Sequence, residues 1–351
     1  MPAAPPASPL ETLRRQYFAL VPPYLLRVPA AAELSSSEGQ AFLVCALLES
    51  PLPAPDAGYR RTFWRRVLPV LEAGVAAQAD DEAAVDEAIY EAVAGLMAAP
   101  SADPASLPPS HKTFIYGHGD AEHAITLLEE QVVVQAGTTG LRTWTAALFL
   151  AHYIVLGQLD IRAAVELGAG TGFLAAVLAQ RGSDVIATDL GDTDDEGEGQ
   201  RRTPLARLAG NLALNGLSAR AAALDWADAA LPPDSRPPVW ADALAPVNGE
   251  RRTVVAADVI YDPDLVPLLA GAIDVLTAPG GDSPPPTAII AATVRNEDTF
   301  ALFLAECAKR QLHTQLLDLA PIDDAPTFWD TALDRGTRVQ VVRISRASPL
   351  P

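Results

Sequence analysis

The sequence predicts an α/β chain in which a helical region over residues 1–130 precedes a Rossmann-like, doubly wound sheet of seven strands over residues 131–351. Three observations carry this. Up to about Leu128, alanine-rich amphipathic segments with helical spacing are separated by Pro and Gly breakers. From about Gln131, short apolar runs alternate with helical ones, the pattern of parallel strands covered by helices. One of those runs ends in a glycine-rich turn that opens a helix, Glu166-Leu-Gly-Ala-Gly-Thr-Gly172.

Taken in chain order, residues 1–10 read as a loose Pro/Ala tail. Ser35 followed by Glu38 has the form of a capping box opening a helix through Leu48, which Pro51, Pro53, Pro55 and Gly58 end. Further helices are predicted over 60–76 and 81–97, ahead of a Pro/Ser stretch at 100–110. An apolar helix over 145–156 leads into the second region. There, strands are predicted at 163–167, 184–188, 220–224, 253–258, 287–293, 314–320 and 337–345, with helices over 171–181, 204–214, 263–277 and 297–310. The acidic stretch 191–200 and the Pro-rich stretch 231–250 read as loops.

Composition excludes several classes of function. With 49% hydrophobic and 20% charged residues the chain can bury a sizeable core, so global disorder is excluded. No apolar run reaches the ~18 residues of a membrane helix, and residues 1–10 lack the basic flank of a signal peptide, so a cytoplasmic protein without membrane contact is expected. The net charge is −19, with lysine only at Lys112 and Lys309. That balance argues against direct nucleic-acid binding. It suits a basic protein partner, or serves solubility alone. Cys45 and Cys307 are isolated, and the five histidines have no Cys or Glu at ligand spacing, so no metal site is expected. No Ser or Thr sits in a nucleophile-elbow context.

The chemistry gathers at the strand ends. In Val165–Gly172 a strand closes on Glu166, and glycines then alternate as Gly168, Gly170 and Gly172 around Ala169. Such a turn needs unusual backbone angles and lets a ligand approach closely. Phe173 stands where a dinucleotide fingerprint has its third glycine, which favours S-adenosylmethionine, a ligand without a pyrophosphate to cradle. Asp189 ends the next strand, where an acid either accepts from ribose hydroxyls or caps a turn. Asp225 and Trp226 follow the third strand; the carboxylate can accept from an adenine amino group while the indole stacks, or the indole is core. Ala257-Asp258-Val-Ile-Tyr261 ends the fourth strand without the proline pair that base and amide methyltransferases carry there. Asp258 and Tyr261 can hold and orient a lysine that must lose its proton, or Asp258 caps the following helix beside a packed Tyr261. Trp144, ahead of the 145–156 helix, either closes over a ligand or is core.

As a set, Thr139-Gly-Leu-Arg-Thr-Trp144, Glu166–Gly172, Leu224-Asp-Trp226 and Asp258-Val-Ile-Tyr261 resemble the seven-strand protein-lysine methyltransferases of family 16. The segment Leu13-Arg-Arg-Gln-Tyr-Phe-Ala-Leu-Val-Pro-Pro23 resembles the opening of the elongation factor 2 lysine methyltransferase branch, which carries a helical N-terminal extension. The resemblance implies a class I S-adenosylmethionine-dependent methyltransferase domain and a docking role for residues 1–130. It implies cofactor contacts at Trp144, Glu166, Gly168, Ala169, Gly170, Asp189, Asp225, Trp226 and Ala257. It places Asp258 and Tyr261 against the acceptor lysine of a protein substrate, elongation factor 2. A small-molecule methyltransferase and a non-catalytic scaffold share these motifs and stand as alternatives. The chain departs from the family's pattern in the long acidic stretch after Asp189 and in the Pro-rich stretch 231–250, which reads as an insertion.

Overall fold

Helix starts in the first region are set by side chains that satisfy orphan backbone donors. The structure, a computed structural model, describes residues 7–80, 82–100, 107–131, 141–191, 203–280, 285–320, 322, 327–329 and 338–346. It divides into two compact units, Met1–Val133 with Asp323–Thr331, and Val134–Ile322 with Ala332–Pro351. Each is described by itself.

In the first unit, Ser8 accepts from the Glu11 N–H and Pro9 opens α1, Pro9–Phe18. Helix α2, Ala31–Ser35, is followed by α3, Ser37–Leu43, whose cap is Ser36 accepting from Gly39. The capping residue is therefore one position beyond the predicted Ser35, because Ser35 completes the preceding helix. Asp56 accepts from Gly58 and Tyr59 to open α4, Ala57–Ala76, and Asp86 caps α5, Glu87–Ala98. Tyr17, Phe63 and Trp64 are fully buried, with ring centroids 4.7 Å apart for Tyr17–Phe63 and 5.5 Å for Phe63–Trp64. The helical pattern expected up to Leu128 gives way to an antiparallel hairpin of β1, Ser110–Tyr116, and β2, His123–Glu129. The reason is local: Gly117 and Gly119 take positive φ in the connection, and Thr113, Phe114, Ile115 and Tyr116 are β-type residues. Phe328 packs edge-on against Phe114 and Tyr116 of this hairpin.

The second unit opens with α6, Thr145–Val155. Strand β3, Ala163–Leu167, leads through α7, Phe173–Gln180, to β4, Asp184–Asp189. Helix α8, Pro204–Leu214, connects to β5, Arg220–Ala223, and the chain then returns to β6, Thr253–Ala257. Helix α10, Val266–Leu276, precedes β7, Ala288–Thr293, and α11, Glu297–Lys309, precedes β8, Leu312–Leu316, and β9, Val339–Arg346. These form one seven-stranded sheet in the order β5-β4-β3-β6-β7-β9-β8. The first five are parallel, and β9 runs antiparallel to both β7 and β8. The predicted Rossmann-like sheet is therefore observed. Its strands read as continuous apolar runs because both faces are covered; every residue of β3 and of β7 is buried.

The stretch 231–250, predicted as a loop, contains a helix, α9, Pro238–Leu244. Prolines lead into it because a proline at the first helical position costs no hydrogen bond. Trp240, 1% exposed, anchors α9 in the core of the sheet with Val254, Leu269 and Ile273. The acidic stretch at 192–200 lies outside the described residues. Among those described, no helix is long and apolar enough to cross a membrane, and no cluster of His, Cys, Asp or Glu could hold a metal.

Candidate active site

The chain leaves β3 toward β4 and β5 on one side and returns to β6 on the other. That reversal opens a crevice beyond the carboxyl ends of the strands, where doubly wound sheets bind ligands. The turn after β3 forms its floor. Gly168, Gly170 and Gly172 take φ of +65°, +54° and +83°. A Cβ on Gly168 would stand 2.8 Å from Val259 Cγ1, and one on Gly172 would stand 2.7 Å from Leu208 Cδ1. Side chains are excluded at both positions, at the first by the crevice wall and at the second by α8. The turn is braced from outside. Ala169 N–H donates to Thr188 O, Asn211 Nδ2 to Thr171 O, and the Thr143 and Thr171 hydroxyls lie 2.7 Å apart.

All the predicted site residues converge on this cleft. Trp144, Glu166, Gly168, Ala169, Gly170, Asp189, Asp225, Trp226, Ala257, Asp258 and Tyr261 all line it. Asp189 Oδ2 accepts from Gly170 N–H at 2.6 Å and Oδ1 from Leu190 N–H at 2.8 Å. The carboxylate thereby ties the end of β4 to the glycine turn, and burial still raises its pKa. Asp225 caps the turn 226–230 by accepting from Ala227 N–H at 2.8 Å. Trp226 closes the cleft beside Gly168. Glu166 is 2% exposed, and its Oε2 has no hydrogen-bond partner among the described residues. Burial pushes its pKa up to about 8, against the opposing hydrogen bond from Ala175 N–H and with a smaller contribution from the Asp189 charge.

Asp258 follows β6 in the left-handed region, φ +57°, which Asp tolerates better than most residues. Its side chain is 3% exposed. Oδ2 accepts from Ala146 N–H at 2.9 Å and from the Thr293 hydroxyl at 3.0 Å. Oδ1 accepts from Thr293 N–H at 2.9 Å and lies 3.7 Å from Arg295 Nη1. The carboxylate thus joins the first turn of α6 to the end of β7. It does not cap the following helix: the N–H it accepts from belongs to α6, well upstream in the chain. Tyr261 is 54% exposed at the mouth, beside Leu265 and the exposed Leu268. Thr139 and Gly140 lie outside the described residues. Arg142 and Thr143, quoted in the sequence only as part of the motif that ends in Trp144, also line the cleft.

The cleft suits a ligand that carries positive charge. Its described lining contains the carboxyl groups of Glu166, Asp189, Asp225 and Asp258 against the single guanidinium of Arg142. A pyrophosphate would meet repulsion there. An adenosine joined to a cationic, ammonium-bearing tail would meet an acidic lining, a backbone without side chains and an indole wall. S-adenosylmethionine has that chemistry.

Known proteins point the same way. Residues 121–304 match the model of a family described as lysine methyltransferase. Protein-lysine N-methyltransferase EFM3 of Chaetomium thermophilum is 32% identical over 280 residues, covering 74% of this chain and 75% of that protein. Protein-lysine N-methyltransferase EEF2KMT of Bos taurus is 32% identical, covering 72% of this chain and 71% of its own length. The protein of the same name from Homo sapiens is 30% identical over 73% of this chain and 71% of its own length.

Proposed function

Because the chain belongs to the lysine methyltransferase family, we propose that this S-adenosylmethionine-dependent protein-lysine N-methyltransferase acts on translation elongation factor 2. The observation that carries the reading of the site is the convergence of every predicted residue on one acidic cleft at the switch point of the sheet. Elongation factor 2 is favoured by the name EEF2KMT, borne by three relatives that match over most of their length. The segment Leu13–Pro23, which resembles the opening of that branch, favours it too. Residues 1–130 serve in this reading to dock the substrate. The work is done in the cytoplasm, on protein, with no part played by nucleic acid or membrane.

Asp189 would hold the ribose hydroxyls, and Asp225 with Trp226 the adenine. Glu166 and Trp144 would take the methionine end, with Gly168, Ala169, Gly170 and Ala257 allowing close approach. Bound there, S-adenosylmethionine supplies a methyl group on a positively charged sulfur. The chain's own residues must then present a lysine nitrogen without its proton, although its ordinary pKa is about 10.4. Desolvation between Trp144, Tyr261 and Leu265 lowers that value. The charge on Asp258 lies in the wall of this space, and the elements it joins set its shape. Alignment and exclusion of water supply the rate.

The test is to incubate purified elongation factor 2 with the protein and S-adenosylmethionine, then map the product by mass spectrometry. Methyl groups on one defined lysine support the proposal. An unmodified elongation factor 2, with methyl transfer to a different protein or only to small molecules, overturns the substrate assignment.

A further inference from the structure

Arg295 stands two residues past β7, at the turn into α11. Its guanidinium carbon lies 5.1 Å from the centroid of the Trp144 ring, and its Nη1 lies 3.7 Å from Asp258 Oδ1. Trp144 lines the cleft, whereas Arg295 is not among the residues described as lining it. Trp144 is also the residue immediately before α6, whose first turn is pinned by Asp258 through Ala146 N–H. One carboxylate therefore holds both the backbone that carries the indole and the cation stacked on the indole.

The Arg295–Asp258 pair contributes little as an ion pair. It is long, and the arginine side chain is 40% exposed, so water screens it. Its effect is geometric. A planar guanidinium stacked on an indole restricts the ring's rotation, which a lysine ammonium does less well.

Building on the proposed cofactor site, we propose that Arg295 is a positioning residue for methyl transfer. Stacked on Trp144 and braced by Asp258, it holds the indole as a fixed wall at the acceptor end of the cleft. Without it the ring has other orientations to adopt, and both cofactor and lysine meet a less ordered wall. The residue acts through Trp144, so its effect depends on Trp144 being present.

A double-mutant cycle tests this on the full chain. Affinity for S-adenosylhomocysteine is measured by calorimetry for the wild type, Arg295→Gln, Trp144→Leu and the double variant, with thermal midpoints recorded to confirm folding. Arg295→Gln should weaken binding by about threefold to tenfold, in keeping with a partly desolvated cation–π contact. It should lower kcat while leaving KM for the protein substrate near the wild-type value. The double variant should bind no more weakly than Trp144→Leu, and Arg295→Lys should restore part of the loss. Additive effects in the cycle, or an Arg295→Gln protein that binds and turns over like the wild type, would overturn the proposal. A wild type that does not bind S-adenosylhomocysteine would overturn the cofactor-site reading beneath it.

Discussion

Glu166 gives the sharpest handle on the cofactor site, because burial leaves its carboxyl protonated at neutral pH. Its pKa moves from an ordinary 4.5 to about 8 in the folded, ligand-free protein. Between these values the folded chain holds a proton that the unfolded chain has released. The stability linked to this group is therefore fully present below pH 4.5 and is lost as pH rises toward 8. At about 1.36 kcal/mol per pH unit, the whole loss is about 5 kcal/mol. Glutamine keeps the shape and cannot ionise, so Glu166→Gln should match the wild type near pH 4 and exceed its stability by several kcal/mol at pH 9. Binding should show the reverse preference. Glu166 lines the cleft, and pairing its side chain with a ligand ammonium requires the carboxylate form. Affinity of the wild type for S-adenosylhomocysteine should rise about tenfold per pH unit up to pH 8 and then level off. Calorimetry at pH 7 in buffers of different ionisation enthalpy should report close to one proton released. Glu166→Gln should bind more weakly at pH 8, with a flat profile. A flat wild-type profile without proton release would refute the reasoning about Glu166, as would a glutamine variant with the wild-type pH dependence.

Other outcomes follow from packing. Gly168→Ala puts a Cβ 2.8 Å from Val259 Cγ1 at a φ of +65°; it should cost about 1–3 kcal/mol of stability and at least tenfold in S-adenosylhomocysteine affinity, read by urea unfolding and calorimetry. Trp240→Ala empties a fully buried site in the sheet core, and an unfolding free energy in urea lowered by about 3–5 kcal/mol is expected; a loss under about 0.5 kcal/mol, the range of surface substitutions, would mean that α9 is not part of that core. Tyr261→Ala removes an exposed ring at the mouth, so KM for the protein substrate should rise severalfold with S-adenosylhomocysteine affinity unchanged.

The parts of the fold that could be read from sequence are those whose signal is contiguous. Strands β3, β4 and β6 are short apolar runs closed by Gly168, Asp189 and Asp258, and α8 was predicted at its observed bounds because Thr203, Pro204 and an amphipathic run mark it locally. The hairpin of β1 and β2 was hidden because most positions on both faces are buried, which erases the alternation that marks a strand. Helix α9 was hidden by prolines that serve as its entrance. Most cleft residues were legible because they sit at or just past the end of a strand in a short motif, and Trp144 because it stands in a motif that opens α6. What they touch was not. Asp258 takes its donors from Ala146 and Thr293, separated from it by 112 and 35 positions. Arg295 carries no local motif, and its place behind Trp144 is set only when β6, β7 and the start of α6 come together.

In the proposed reaction the methyl group reaches a lysine nitrogen of a protein. The most direct measurement uses S-adenosylmethionine labelled in its methyl group and a lysate from cells lacking this enzyme. The labelled protein is then hydrolysed to amino acids and separated by chromatography. Label should run with methylated lysine and come from one protein, and it should be absent when the added enzyme carries Gly168→Arg. Label in methylated arginine, or confined to small molecules, would contradict the account.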